Sequence, residues 1–216
     1  MTHHLEDIMD QLLTRKMNHV GAVISIVLLV IAFWGLVSGW PLGYAYLMIA
    51  GIVGTILTFG LEGLKELYAV PKNRPILTVI LAFFATIVIG YTIAIIAAFV
   101  FGHSFTSNPG AQHISETFLI LVPSLIGEEL MVMVPLLIGA NWLGGSKKAV
   151  VIMIIITTVI FGAAHLQTYN FDYLQVAIIG LIRVPFTIAS LRNKSIITGT
   201  ATHIIYDFMS FSLILL

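Results

Sequence analysis

Near the start of the chain, Leu5, Ile8, Met9, Leu12 and Leu13 recur at i, i+3, i+4, i+7 and i+8, with Glu6, Asp7 and Asp10 between them. That spacing predicts a short amphipathic helix within residues 1–16, lying in a membrane interface. Beyond it the pattern changes to long apolar runs near residues 18–38, 42–61, 76–101, 115–140, 148–166, 172–190 and 195–214. Each has about the 20 residues that a helix needs to cross a bilayer. Turn-formers separate them: Gly39-Trp40-Pro41-Leu42-Gly43, then Pro71 and Pro75, then Asn108-Pro109-Gly110 within a polar loop from Gly102 to Gln112. The pattern predicts an all-α fold: a polytopic membrane bundle of about seven transmembrane helices preceded by an interfacial segment. Residues 17–216 then form a single transmembrane domain without an internal repeat.

Composition agrees. The chain is 59% hydrophobic and only 9% charged, which excludes an ordinary soluble domain. It has no cysteine, which excludes disulfides, thiolate nucleophiles and cysteine-ligated zinc. Zero net charge leaves no basic face for nucleic acid. The acidic start, with no small-residue cleavage site, does not read as a secretory signal. Arg15, Lys16, Lys65, Lys72, Arg74, Lys147, Lys148, Arg192 and Lys194 all fall on one side of a seven-span arrangement, and the loops of the other side hold no Lys or Arg. The positive-inside rule then predicts a multi-pass protein of the cell membrane with a cytoplasmic N-terminus.

The informative residues are the ionisable ones inside the spans: Glu128, Glu129, His165, Arg183, His203 and Asp207. A charge near the bilayer centre costs roughly 3 kcal/mol on insertion scales, so such groups need partners or a function. Neighbours on a helix point about 100° apart, so one glutamate can face a cavity while the other is braced by another helix. His203 and Asp207 share a helix face at i, i+4, where the carboxylate can orient the imidazole or line the site itself. Phe161 precedes His165 by one turn across Gly162, Ala163 and Ala164, small residues that let helices approach. Three carboxylates, one arginine and two imidazoles nearly neutralise one another in a single enclosed cluster. His103 and His113 lie in a loop, His3 and His4 in the solvated start, and Tyr206 reads as packing. There is no His-Glu-x-x-His helix and no Gly-x-Ser-x-Gly elbow.

The order Glu128-Glu129, then Phe161-x-x-x-His165, then His203-x-x-x-Asp207, each on its own span, resembles the CPBP family. These are the CAAX-protease and bacteriocin-processing, or Abi, proteins. Leu191-Arg192-Asn193-Lys194-Ser195 is also similar to the Tyr-Arg-Thr-Gly-Ser type of turn that precedes the family's third motif. The resemblance covers roughly residues 115–210, the peptidase-like core. One position departs from it: the first motif normally reads Glu-Glu-x-x-x-Arg, and here Met133 stands at the arginine.

The resemblance implies an intramembrane endopeptidase acting on a peptide or protein in or at the bilayer. On one account Glu128 is the general base on a water that His165 helps to hold, while His203 and Asp207 stabilise the oxyanion and Glu129 completes the catalytic set. On another, His165, His203 and Glu128 bind Zn²⁺. The missing zinc-protease helix favours the metal-independent account. Two other classes are open. A non-catalytic immunity or partner-binding protein of the same fold would suit Met133. A proton-coupled transporter would suit the buried acids, although the absence of inverted repeats speaks against it.

Two further expectations concern geometry. Arg183 is nearly at mid-membrane, too deep to snorkel, and is expected to pair with Glu129, supplying from the sixth span the charge that Met133 vacates. His165 is about 17 residues from Lys148, whereas His203 is about 9 from the basic end of its own span. Upright helices would leave their depths roughly 12 Å apart, so the fifth span is expected to tilt or to start deep.

Overall fold

A computed structural model describes residues 10–106 and 114–214 of the chain. His3, His4, Leu5, Ile8, Met9, the Asn108-Pro109-Gly110 turn and His113 lie outside them. Within the described residues the secondary structure is helical: α1 (Asp10–Thr14), α2 (His19–Val37), α3 (Gly43–Leu67), α4 (Pro75–Phe101), α5 (Ile114–Trp142), α6 (Lys147–Ala164), α7 (Tyr173–Asn193) and α8 (Ile196–Ile214). Among the described residues six helices are long and apolar enough to cross a membrane: α2, α3, α4, α5 over residues 120–142, α6 and α7. The seventh apolar run is realised as α8. The molecule is a polytopic helical membrane bundle.

Local chemistry sets the helix ends. Asn18, Ser146 and Asp172 are N-caps whose side chains accept from the backbone N–H three residues on. Pro75 occupies the first turn of α4, where its missing N–H costs nothing. The second apolar run was expected to end near residue 61, but α3 continues to Leu67. Gly60 (φ +76°) breaks the helical geometry there, a conformation glycine accepts without strain, and a short amphipathic turn follows. In that turn Leu67 enters the core and Glu66 pairs with Arg15 at 3.1 Å.

Leu12, Leu13 and Met17 are buried in the main hydrophobic core. The Asn141 amide fixes this N-terminal stretch by donating to the carbonyls of Leu12 (3.3 Å), Leu13 (3.0 Å) and Arg15 (3.0 Å). Helix α3 packs on α2 and α5, while α7 packs on α4, α6 and α8. The α6–α7 crossing is close. A Cβ on Gly162 would lie 2.5 Å from the Val176 carbonyl oxygen, and one on Gly180 would lie 2.7 Å from that of Thr158. Where α5, α6, α7 and α8 converge, the buried residues change from apolar to charged.

Candidate active site

Helix α5 delivers two carboxylates with different fates. Glu129 is wholly buried, whereas the Glu128 side chain is 19% exposed and lines a cavity of about 630 Å³. The angle between adjacent helical residues produces this division. Arg183 reaches Glu129 from α7, with one guanidinium nitrogen 3.0 Å from Glu129 Oε1. Its other terminal nitrogen donates to Thr187 Oγ1 at 2.7 Å, and its carbon lies 4.8 Å over the Phe161 ring. The expected pair is present, and a cation–π contact helps hold a fully desolvated arginine.

The same Glu129 oxygen faces His203 Nδ1 at 3.1 Å. A carboxylate paired with arginine accepts, so Nδ1 carries the proton and donates. Glu129 on α5, rather than Asp207 one turn away on α8, therefore orients the imidazole. The reason is direction: Asp207 Oδ2 lies 3.8 Å from Nε2, on the other edge of the ring. Glu128 Oε2 lies 4.0 Å from that same nitrogen. The His203 ring is stacked on Phe186, centroids 4.8 Å apart at 27°, and meets Phe161 edge-on at 6.4 Å.

His165 is the C-cap of α6, and its Nδ1 donates to the Phe161 carbonyl at 2.9 Å. In the neutral ring this leaves Nε2 as an acceptor. Glu128, His165, His203 and Asp207 all line the one cavity, with Tyr206 and Phe161 beside them. His165 at the end of α6 and His203 about seven residues into α8 line this one cavity, with the Phe161 ring centroid 4.7 Å from that of His165 and 6.4 Å from that of His203.

Zinc needs its ligands gathered at about 2.0–2.2 Å from one point. His165, His203 and Glu128 are not so arranged, and no three His, Asp or Glu side chains among the described residues form a metal-holding group. His203 has turned one nitrogen to Glu129, and His165 one to a backbone carbonyl. Elsewhere, His103 Nε2 lies 2.8 Å from Asp172 Oδ2, away from the acidic cluster.

Residues 110–209 match the model of a family described as type II CAAX prenyl endopeptidase Rce1-like. Over these residues the chain is similar to that family. The matched stretch takes in Glu128, Glu129, Phe161, His165, Arg183, His203 and Asp207, and the family it is similar to is described as one of endopeptidases. No curated protein and no solved structure matches the chain.

Three residues of the matched stretch escaped sequence reasoning. Phe186 stacks on His203, Thr187 accepts from Arg183, and Gly199 lets α8 approach α7. Thr187 had a usable signal, since it stands four residues after a buried arginine on the same helix face. Phe186 and Gly199 had none, because an apolar span contains many such residues.

Proposed function

We propose that the chain is an intramembrane endopeptidase that hydrolyses a peptide bond with a water activated by Glu128. The observation that carries this reading is the unequal pair of glutamates. Glu129 is committed to Arg183 and His203, which leaves Glu128 facing the cavity with His165 and Asp207 on the same walls. Glu128 takes a proton from a water that also donates to His165 Nε2, and the water oxygen attacks the carbonyl carbon. His203 in its imidazolium form donates from Nε2 to the developing oxyanion, assisted by Asp207 when that carboxyl carries a proton. Glu128 then passes its proton to the leaving nitrogen as the C–N bond breaks. Arg183 and Glu129 are positioning residues that fix His203. No step runs through a metal.

The test compares the termini of membrane and exported proteins in cells carrying the wild-type chain or its Glu128→Gln, His165→Ala or His203→Ala variants, each checked for insertion. New termini made by the wild type alone support the reading. Full cleavage by any one variant removes that residue from the mechanism. A second reading, a non-catalytic immunity or partner-binding protein, rests on Met133 in place of the family's arginine. It predicts that Glu128→Gln keeps the cellular phenotype intact.

A further inference from the structure

The cavity holding Glu128 and His203 has a direction, and each helix reports the same one. Its lining includes Leu36 near the end of α2, Tyr91 in the second half of α4 and Leu121 in the first half of α5. His165 at the end of α6, Gln175 at the start of α7 and Ser210 late in α8 complete the series. Successive helices run in opposite senses, so all these positions lie at one end of the bundle. That end carries the connections 38–42 and 165–172 and residues 102–106 after α4.

Phe105, in the connection after α4, also lines the cavity. The backbone beside it is fixed: Thr106 N–H donates to Gln175 Oε1 at 3.0 Å, and the Gln175 amide donates back to the Thr106 carbonyl at 2.7 Å. Residues 38–42, 102–106 and 165–172 at this end contain no Lys or Arg. The other end holds nine: Arg15, Lys16, Lys65, Lys72, Arg74, Lys147, Lys148, Arg192 and Lys194. Basic residues flanking spans are retained on the cytoplasmic face.

We infer that the cavity opens on the extracytoplasmic side of the membrane, and that its substrate is a peptide segment presented from that side. The class is an exported peptide or an extracytoplasmic stretch of a membrane protein, not the cytoplasmic tail of a protein. The substrate class rests on the peptidase reading above; the direction of opening does not. The wall chemistry suits such a segment. Phe33, Leu36 and Leu47 give an apolar surface for extended chain, and the formal charges on the lining are those of Glu128, Arg183 and Asp207.

The chain contains no cysteine, so single cysteines report without background. Ser104→Cys beside Phe105, Thr168→Cys on the cavity wall and Lys72→Cys at the basic end are introduced separately into the full chain. Intact bacterial cells expressing each are treated with a membrane-impermeant maleimide, before and after permeabilisation, with labelling after denaturation as the measure of total protein. Ser104→Cys and Thr168→Cys are expected to label in intact cells, and Lys72→Cys only after permeabilisation. Labelling of Lys72→Cys in intact cells, or of the other two only after permeabilisation, overturns the inference and leaves the peptidase reading standing. The terminus comparison for wild type and Glu128→Gln is run on the same cells. New termini on extracytoplasmic segments support the substrate class, and new termini confined to cytoplasmic tails overturn it. If the labelling is as expected but wild type and Glu128→Gln give identical termini, the peptidase reading and its substrate class fail and the direction of opening holds.

Discussion

Arg183 and Glu129 meet at 3.0 Å with both side chains almost wholly removed from solvent, one from α7 and the other from α5. Neither charge has an aqueous alternative, so the loss of either strands the other. Removing one partner of a buried pair typically costs about 3–5 kcal/mol. Arg183→Met is expected to lower stability by that amount, and Arg183→Met combined with Glu129→Gln by less than the sum of the two single changes. Thermal unfolding in detergent, read by circular dichroism, gives the cycle. Additive losses would mean that the two side chains are not energetically coupled.

His203 is held on one edge by Glu129 and on one face by Phe186. Phe186→Ala removes the face and leaves the hydrogen bond, so the ring gains freedom to tilt away from Glu128. A misplacement of about 1 Å in a reacting constellation can cost on the order of 10²-fold in rate. A fall of that order in kcat with little change in KM is expected, and Phe186→Tyr, which keeps a stacking face, should recover most of it. Unchanged kcat in Phe186→Ala would show that Glu129 alone sets the ring.

The spans were legible because a bilayer demands long apolar runs, and those runs predict α2 and α4 to within a residue or two. The division between Glu128 and Glu129 was legible too, since adjacent helical residues cannot face the same way. The partner of Arg183 followed from elimination, there being few buried carboxylates for it to meet. What orients His203 was not legible. The i, i+4 spacing made Asp207 a candidate within α8, but the imidazole turns its Nδ1 across to α5, a choice made by helix packing and by the anchoring of Glu129 on Arg183. Nor did the pattern reveal that Gly60 lets α3 run on as a second, amphipathic turn.

Gly199 stands one turn before His203 on α8, at the closest approach to α7. A Cβ there would lie 2.1 Å from Ser190 Oγ, 2.5 Å from the Phe186 carbonyl oxygen and 3.2 Å from Glu129 Oε2. The Phe186 contact is with backbone and cannot rotate away. Overpacking of this kind costs about 1–3 kcal/mol or more, and here it would also move α8 relative to Glu129. Gly199→Ala is expected to lose both stability and cleavage. Ser190→Ala in the same chain relieves only the contact at the hydroxyl, so it should restore little. Wild-type melting behaviour in Gly199→Ala would show that α7 and α8 can separate at no cost.

Asp172 caps α7 beside the connection that carries Phe105. Its Oδ1 accepts from the Gln175 N–H at 3.0 Å, and its Oδ2 faces His103 Nε2 at 2.8 Å. Burial by itself pushes the carboxyl up, but the Gln175 N–H, the His103 ring and the Leu174 N–H together outweigh it and hold the group below its usual range. A folded-state value below the unfolded one stabilises the fold fully above the unfolded pKa of about 3.9, and the effect is lost as pH falls through the folded value. Loss of an N-cap costs about 1 kcal/mol. The gap in stability between wild type and Asp172→Ala is therefore expected to stay flat from neutral pH down to about 5 and to narrow below about 4. Thermal unfolding in detergent across that range measures it. A gap that already changes well above about pH 5 would place the main stabilising contact elsewhere than on this carboxylate.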